Sequence, residues 1–138
     1  MFGLKKISVL MLSTFAIAGC HTMPSSSSVP YQVYAYQDQQ VCPTELTLNV
    51  GDEIKFTVSD NPSTGYSWKL KQALQHLDAT SVYNAHKTEG YLVVGMGGKR
   101  EFRFKALTSG QDTIHLVYNR SWSPQEVGAE WTCQVTIR

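Results

Sequence analysis

Ser63 and Thr64 are the side chains of this sequence most openly placed for chemistry. Both carry small hydroxyls, and the run Asn61-Pro62-Ser63-Thr64-Gly65-Tyr66 holds them on a stiffened backbone. Pro62 fixes its own φ, Gly65 permits a left-handed conformation, and Asn61 suits an Asx-type turn. A hydroxyl becomes a nucleophile only beside a placed base, so Asp60 near Ser63 does not by itself make a triad. His76, His86 and His115 are scattered, with no pair at zinc-ligand spacing and no nucleophile-elbow motif. No catalytic centre, metal or cofactor is therefore expected. What remains for such a loop is recognition: a preorganised tip loses little entropy on binding and suits insertion into a cleft. On composition alone the same run reads first as an ordinary tight turn.

Two further segments invite the same question. Gly95-Met96-Gly97-Gly98 is backbone almost without side chains, which suits a β-bulge or close approach by another protein's backbone. The segment lacks the marks of a phosphate-binding loop, because no Lys-Ser/Thr pair and no helix follow it. Arg120-Ser121-Trp122 contains two residue types that dominate binding hot spots, although Trp122 alone would read as partly buried packing.

The elements that must position these segments are strands. Leu46, Leu48 and Val50 alternate with polar residues up to the Gly51-Asp52 turn. Ile54, Phe56 and Val58 follow, then Tyr66, Trp68 and Leu70. A weaker run spans Thr80 to Lys87, and Lys69 to Leu77 allows at most one helical turn. Phe102, Phe104 and Ala106 come next, then Ile114, Leu116 and Tyr118, and finally Trp131, Cys133, Val135 and Ile137. About seven strands at this spacing predict an all-β, immunoglobulin-like sandwich. Strands that alternate up and down put the loops after the second, fourth and sixth at one end. Those loops are 60–65, 90–98 and 119–128, so the three segments form one composite binding edge.

In this order and spacing the segments resemble those of the chagasin family, protein inhibitors of papain-like cysteine peptidases. That family carries an Asn-Pro-Thr-Thr-Gly-aromatic loop, a Gly-x-Gly-Gly loop and an Arg-Pro-Trp loop on an immunoglobulin-like sandwich. The likeness covers approximately Thr44 to Arg138. Ser63 replaces the first threonine and keeps its hydroxyl, whereas Ser121 replaces the proline. The resemblance implies a monomeric, reversible, tight-binding inhibitor rather than an enzyme. Ser63 and Thr64 would sit nearest the peptidase nucleophile, with Asn61, Pro62, Gly65 and Tyr66 holding the loop's shape. Gly95, Met96, Gly97 and Gly98 would run along one wall of the cleft, and Arg120 and Trp122 would pack on the other. The competing expectation is a structural or adhesive sandwich module of the cell envelope.

The N-terminus belongs to a different story. Lys5 and Lys6 precede an apolar run, Ile7 to Ala18, that is too short to span a bilayer and reads as a secretory signal. Its end, Ile17-Ala18-Gly19-Cys20, resembles the lipobox of bacterial lipoproteins, in which the cysteine is acylated and becomes the first residue of the mature chain. His21 is not the aspartate that marks inner-membrane retention in many Gram-negative bacteria, which favours the outer membrane. Ser25 to Ser28, between Pro24 and Pro30, read as a polar tether. Such a segment of about 10 residues reaches roughly 15–20 Å. The expected division is signal 1–19, anchor and tether 20–40, and inhibitor domain 41–138.

Without Lys5 and Lys6, the chain's 12 basic and 11 acidic residues leave a mature charge near −1. That balance offers no electrostatic basis for a nucleic-acid partner. Cys42 and Cys133 share the parity of inward-facing neighbours, and in an oxidising compartment they are expected to form a disulfide. Two free buried thiols are the alternative.

Overall fold

The computed structural model describes residues 30–138. The signal at 1–19, the lipidation at Cys20, and His21 and Ser25 to Ser28 of the tether lie outside the described residues. Among the described residues ten strands run in the order β1 (Val33–Gln37), β2 (Leu46–Leu48), β3 (Glu53–Asp60), β4 (Tyr66–Leu70), β5 (Leu77–Ala85), β6 (Lys87–Thr88), β7 (Tyr91–Leu92), β8 (Gly98–Ala106), β9 (Gly110–Arg120) and β10 (Ser123–Ile137). One four-stranded sheet has the order β1-β3-β8-β5 and the other β2-β10-β9-β4, while β6 and β7 pair as a small separate hairpin. The all-β sandwich stands as expected, with more strands than the alternation suggested.

Period-two alternation builds this core. Ile54, Phe56 and Val58 of β3 and, on the neighbouring strand, Phe102, Phe104 and Ala106 of β8 line it from one sheet. Ile114 and Leu116 of β9 with Trp131, Cys133, Val135 and Ile137 of β10 close it from the other. Phe56 stacks on Trp131 at 4.4 Å between ring centroids, across the two sheets. Truncating a phenylalanine buried like Phe56 (2 % exposed) typically costs about 3–5 kcal/mol. Cys42 and Cys133 are joined as a disulfide with a Cα–Cα distance of 5.3 Å. Closing a loop of that length contributes roughly 4–5 kcal/mol in the chain-entropy treatment.

Three features depart from the sequence reading. Val33–Gln37, inside the stretch expected to be tether, pair in parallel with Glu53–Thr57. Their pattern of half-buried and exposed residues is that of an edge strand whose partner lies far along the chain. Residues 123–128, expected as loop, extend β10 instead, and their pairing with β9 shifts register around Val127. Lys69 to Leu77 contains no helix, and the weaker run settles as Leu77–Ala85.

Candidate functional site

The register places the three segments at one end, the rim. Asp60 pairs with Gly98, Ala85 also pairs with Gly98, and Tyr66 pairs with Arg120. The loops are Asn61–Gly65 (loop 1, crossing between sheets), 86–97 (loop 2, carrying the β6–β7 hairpin) and Ser121–Trp122 (loop 3).

Loop 1 is a single 3-10 turn over Pro62–Thr64, closed by Gly65 at φ 83°. The Thr64 amide and hydroxyl both donate to the Asn61 carbonyl, at 3.1 and 2.7 Å. The Gly65 amide donates to the Pro62 carbonyl at 2.9 Å. The Ser63 hydroxyl donates to Asn61 Oδ1 at 2.6 Å, and Asn61 Nδ2 donates to the Gly95 carbonyl at 3.1 Å. Asn61 therefore makes no Asx turn; its side chain bridges the tip of loop 1 to loop 2. Pro62, Ser63 and Thr64 are exposed, with both hydroxyls turned back onto the loop.

In loop 2, Glu89 and Gly90 both take positive φ, at 49° and 84°, as a tight two-residue hairpin requires. The glycine segment serves the interior more than the sequence suggested. Gly97 is buried, and a Cβ there would press on the Asp60 carbonyl and Asn61, while one at Gly98 would strike the Asn84 backbone. The close approach at both is made by this protein's own strands. Only Gly95 opens to free space, beside Met96 at 61 % exposed and Val94 at 95 %.

Loop 3 is held by rings. The Arg120 guanidinium lies 4.5 Å from the Tyr66 ring centroid and 5.9 Å from that of Trp122. Tyr66 contacts Tyr118 at 5.3 Å, Tyr118 contacts Trp68 at 5.4 Å, and Trp68 meets Phe56 edge-on. This ladder runs from the rim into the core. Trp122 is 71 % exposed yet covers Gly65 so closely that a Cβ there would overlap the indole. Ser121, standing where the family's motif has proline, accepts a hydrogen bond from Lys69 Nζ at 3.1 Å, which ties the loop to β4.

Beneath the loops lies a feature that sequence reading missed. Asp60, weighed above as a triad member, is buried and accepts a hydrogen bond from Arg100 Nε at 2.5 Å. Extending the alternation two residues beyond Val58 in β3, and two residues back from Phe102 to Arg100 in β8, would have put both inward. Removing one partner of such a pair typically costs about 3–5 kcal/mol. Here the pair anchors the start of loop 1 to the strand that follows loop 2. His76 bonds Thr108 and His115 bonds Glu130, so neither histidine joins the rim, and exposed His86 sits at the base of loop 2.

On the flank of the first sheet, two carboxylates are held below their ordinary values. Burial raises Asp38, but hydrogen bonds from Ser59 and the Lys99 ammonium outweigh it. For Glu101 the hydrogen bond from Lys55 is the largest cause, with burial opposing and Arg103 reinforcing.

Comparison with known proteins agrees with this geometry. The sequence profile of the chagasin family of peptidase inhibitors (I42) matches residues 47–137. Amoebiasin-1 of Entamoeba histolytica is 30% identical over 95 residues, covering 69% of this chain and 91% of its own. The cysteine protease inhibitor EhICP2 of Entamoeba histolytica superposes with a TM-score of 0.63 at 24% identity, over 78% of this chain and 97% of its own. PbICP-C, solved in complex with falcipain-2, superposes with a TM-score of 0.50 at 18% identity, over 76% of this chain and 99% of its own.

Proposed function

From its membership of the chagasin family of peptidase inhibitors, we propose that this chain blocks papain-like cysteine peptidases by wedging its rim into the active-site cleft. It is an inhibitor and not an enzyme. PbICP-C bound to falcipain-2 supplies a partner of the class proposed here. The observation that carries the wedge is the state of the loop 1 tip. The Asn61 and Pro62 carbonyls are already taken by the Thr64 and Gly65 amides. A peptidase nucleophile meeting this turn finds an exposed, tightly folded Pro62–Thr64 tip in place of the extended backbone of a substrate. Met96 and Val94 on one side and Trp122 on the other leave apolar surface uncovered for the cleft walls. Binding then needs no rearrangement of loops already pinned to one another, which keeps its entropic cost low.

The lipobox-like Ile17-Ala18-Gly19-Cys20 supports a second part of the proposal, that the mature protein is lipid-anchored through Cys20 in the bacterial envelope, at the outer membrane. Two or more acyl chains anchor stably where one holds only marginally. The decisive experiment titrates papain with soluble residues 25–138, using trypsin as control. Tight, reversible inhibition of papain alone is expected. No inhibition of papain or of a cathepsin L-type enzyme by the folded, oxidised domain would overturn the reading.

A further inference from the structure

The first described residues meet the sandwich far from the rim. β3 runs from the Gly51-Asp52 turn to Asp60, and β1 lies parallel to it with Val33 opposite Glu53 and Gln37 opposite Thr57. The chain therefore joins the fold at the base and runs toward the loops. Asp52 fixes that point: its buried carboxylate accepts the Gln32 amide at 2.8 Å and the Asn49 amide at 2.7 Å. The Glu53 amide then donates to the Gln32 carbonyl at 2.9 Å. β3 has 8 residues, which at about 3.3 Å each sets the rim about 25 Å beyond the base.

We infer that the anchored protein presents its three loops away from the bilayer, as an inhibitor of peptidases free in the aqueous compartment. This rests on the inhibitor reading and on the lipid anchor at Cys20. With the lipid attached on the base side, the body of the sandwich stands between membrane and rim. A peptidase docks from the water side without meeting lipid. Attachment near the rim would instead press the loops against headgroups.

Cys20 is the cysteine left outside the Cys42–Cys133 disulfide, so the mature chain can be coupled through its thiol to a maleimide lipid and placed on phosphatidylcholine vesicles. Free papain is the probe. The inhibition constant of the vesicle-bound protein is expected within about twofold of the uncoupled protein. A second variant, Thr88→Cys in a Cys20→Ser background, attaches the lipid on β6 beside loop 2 and should inhibit at least about tenfold less well on vesicles. A tenfold loss for the Cys20-coupled form, or equal inhibition by the two forms, would overturn the inference. Uncoupled protein that inhibits neither papain nor a cathepsin L-type enzyme refutes the inhibitor reading and takes this inference with it. Mass spectrometry of the secreted full chain separately tests the anchor: an unacylated Cys20 would remove its biological setting while the coupled pair still decides the geometry.

Discussion

The two ends of the sandwich close their connections in different ways. At the base, carboxylates take up backbone donors: Asp52 receives the Gln32 and Asn49 amides, and Asp112 receives those of Gln75, His76 and Leu77. At the rim, above the buried Asp60–Arg100 pair, an amide, two hydroxyls and a row of rings do this work. The residues left uncovered also differ. The rim groups Tyr91, Val94, Met96 and Trp122 at 61–95 % exposed on adjoining loops, whereas the base exposes Tyr31 at 68 % and Val50 and Leu107 at 53 % each. Pinned backbone carrying uncovered apolar side chains is what a preformed docking edge requires, and it separates that edge from a mere set of connections.

If this contrast is right, base substitutions should alter stability and spare inhibition, and rim substitutions the reverse. The largest effect is expected from Asp112→Ala, which strips the acceptor from three amides. Urea unfolding should show a loss of about 2–4 kcal/mol, with papain inhibition unchanged while the protein stays folded. An altered inhibition constant in the folded variant would break the division. Trp122→Ala should do the opposite, weakening inhibition by about 1–3 kcal/mol while unfolding shifts by less than about 0.5 kcal/mol. An unchanged inhibition constant would remove loop 3 from the docking edge.

Asn61→Ala sharpens the comparison within the rim, since it unties loop 1 from loop 2 without touching apolar surface. Inhibition should weaken by about 1 kcal/mol, roughly fivefold. Full retention would mean that the bridge does not preorganise the wedge. The smallest effect concerns pH and neither end. Asp38 and Glu101 have lowered folded-state values, so the stability they add is complete above the ordinary carboxylate range. It is lost as pH falls below about 4, through those lowered values. The pairs are partly exposed, so each is worth less than about 1 kcal/mol. Comparing unfolding at pH 7 and pH 3, Glu101→Gln should show less acid sensitivity than the parent; equal sensitivity would discount the pair.

Much of the frame was legible because alternation is local. Ile54-Phe56-Val58, Phe102-Phe104-Ala106 and the β10 run all face the core as their periodicity demands. The pairing of Cys42 with Cys133 followed from shared parity in the same way. β1 was not legible: five residues, of which only Tyr34 and Tyr36 are half-buried, become a strand only when Glu53–Thr57 lies alongside. The β10 extension was masked by Pro124 and Gly128, which read as loop residues yet sit in a strand that bulges around them.

The sequence by itself determined the residue types of the rim, their order along the chain, and the strand phase that sends all three loops to one end. Those are properties of neighbours and of a period of two. Tertiary structure alone decided what each residue touches: Gly97 fitted under the Asp60 carbonyl, Trp122 laid over Gly65, Arg120 held between two rings, and Arg100 paired with Asp60. It also decided that the chain joins at the base. Apart from Arg120 on its near neighbour Trp122, each such contact unites segments tens of residues apart, and no local pattern encodes which distant backbone will arrive beside it.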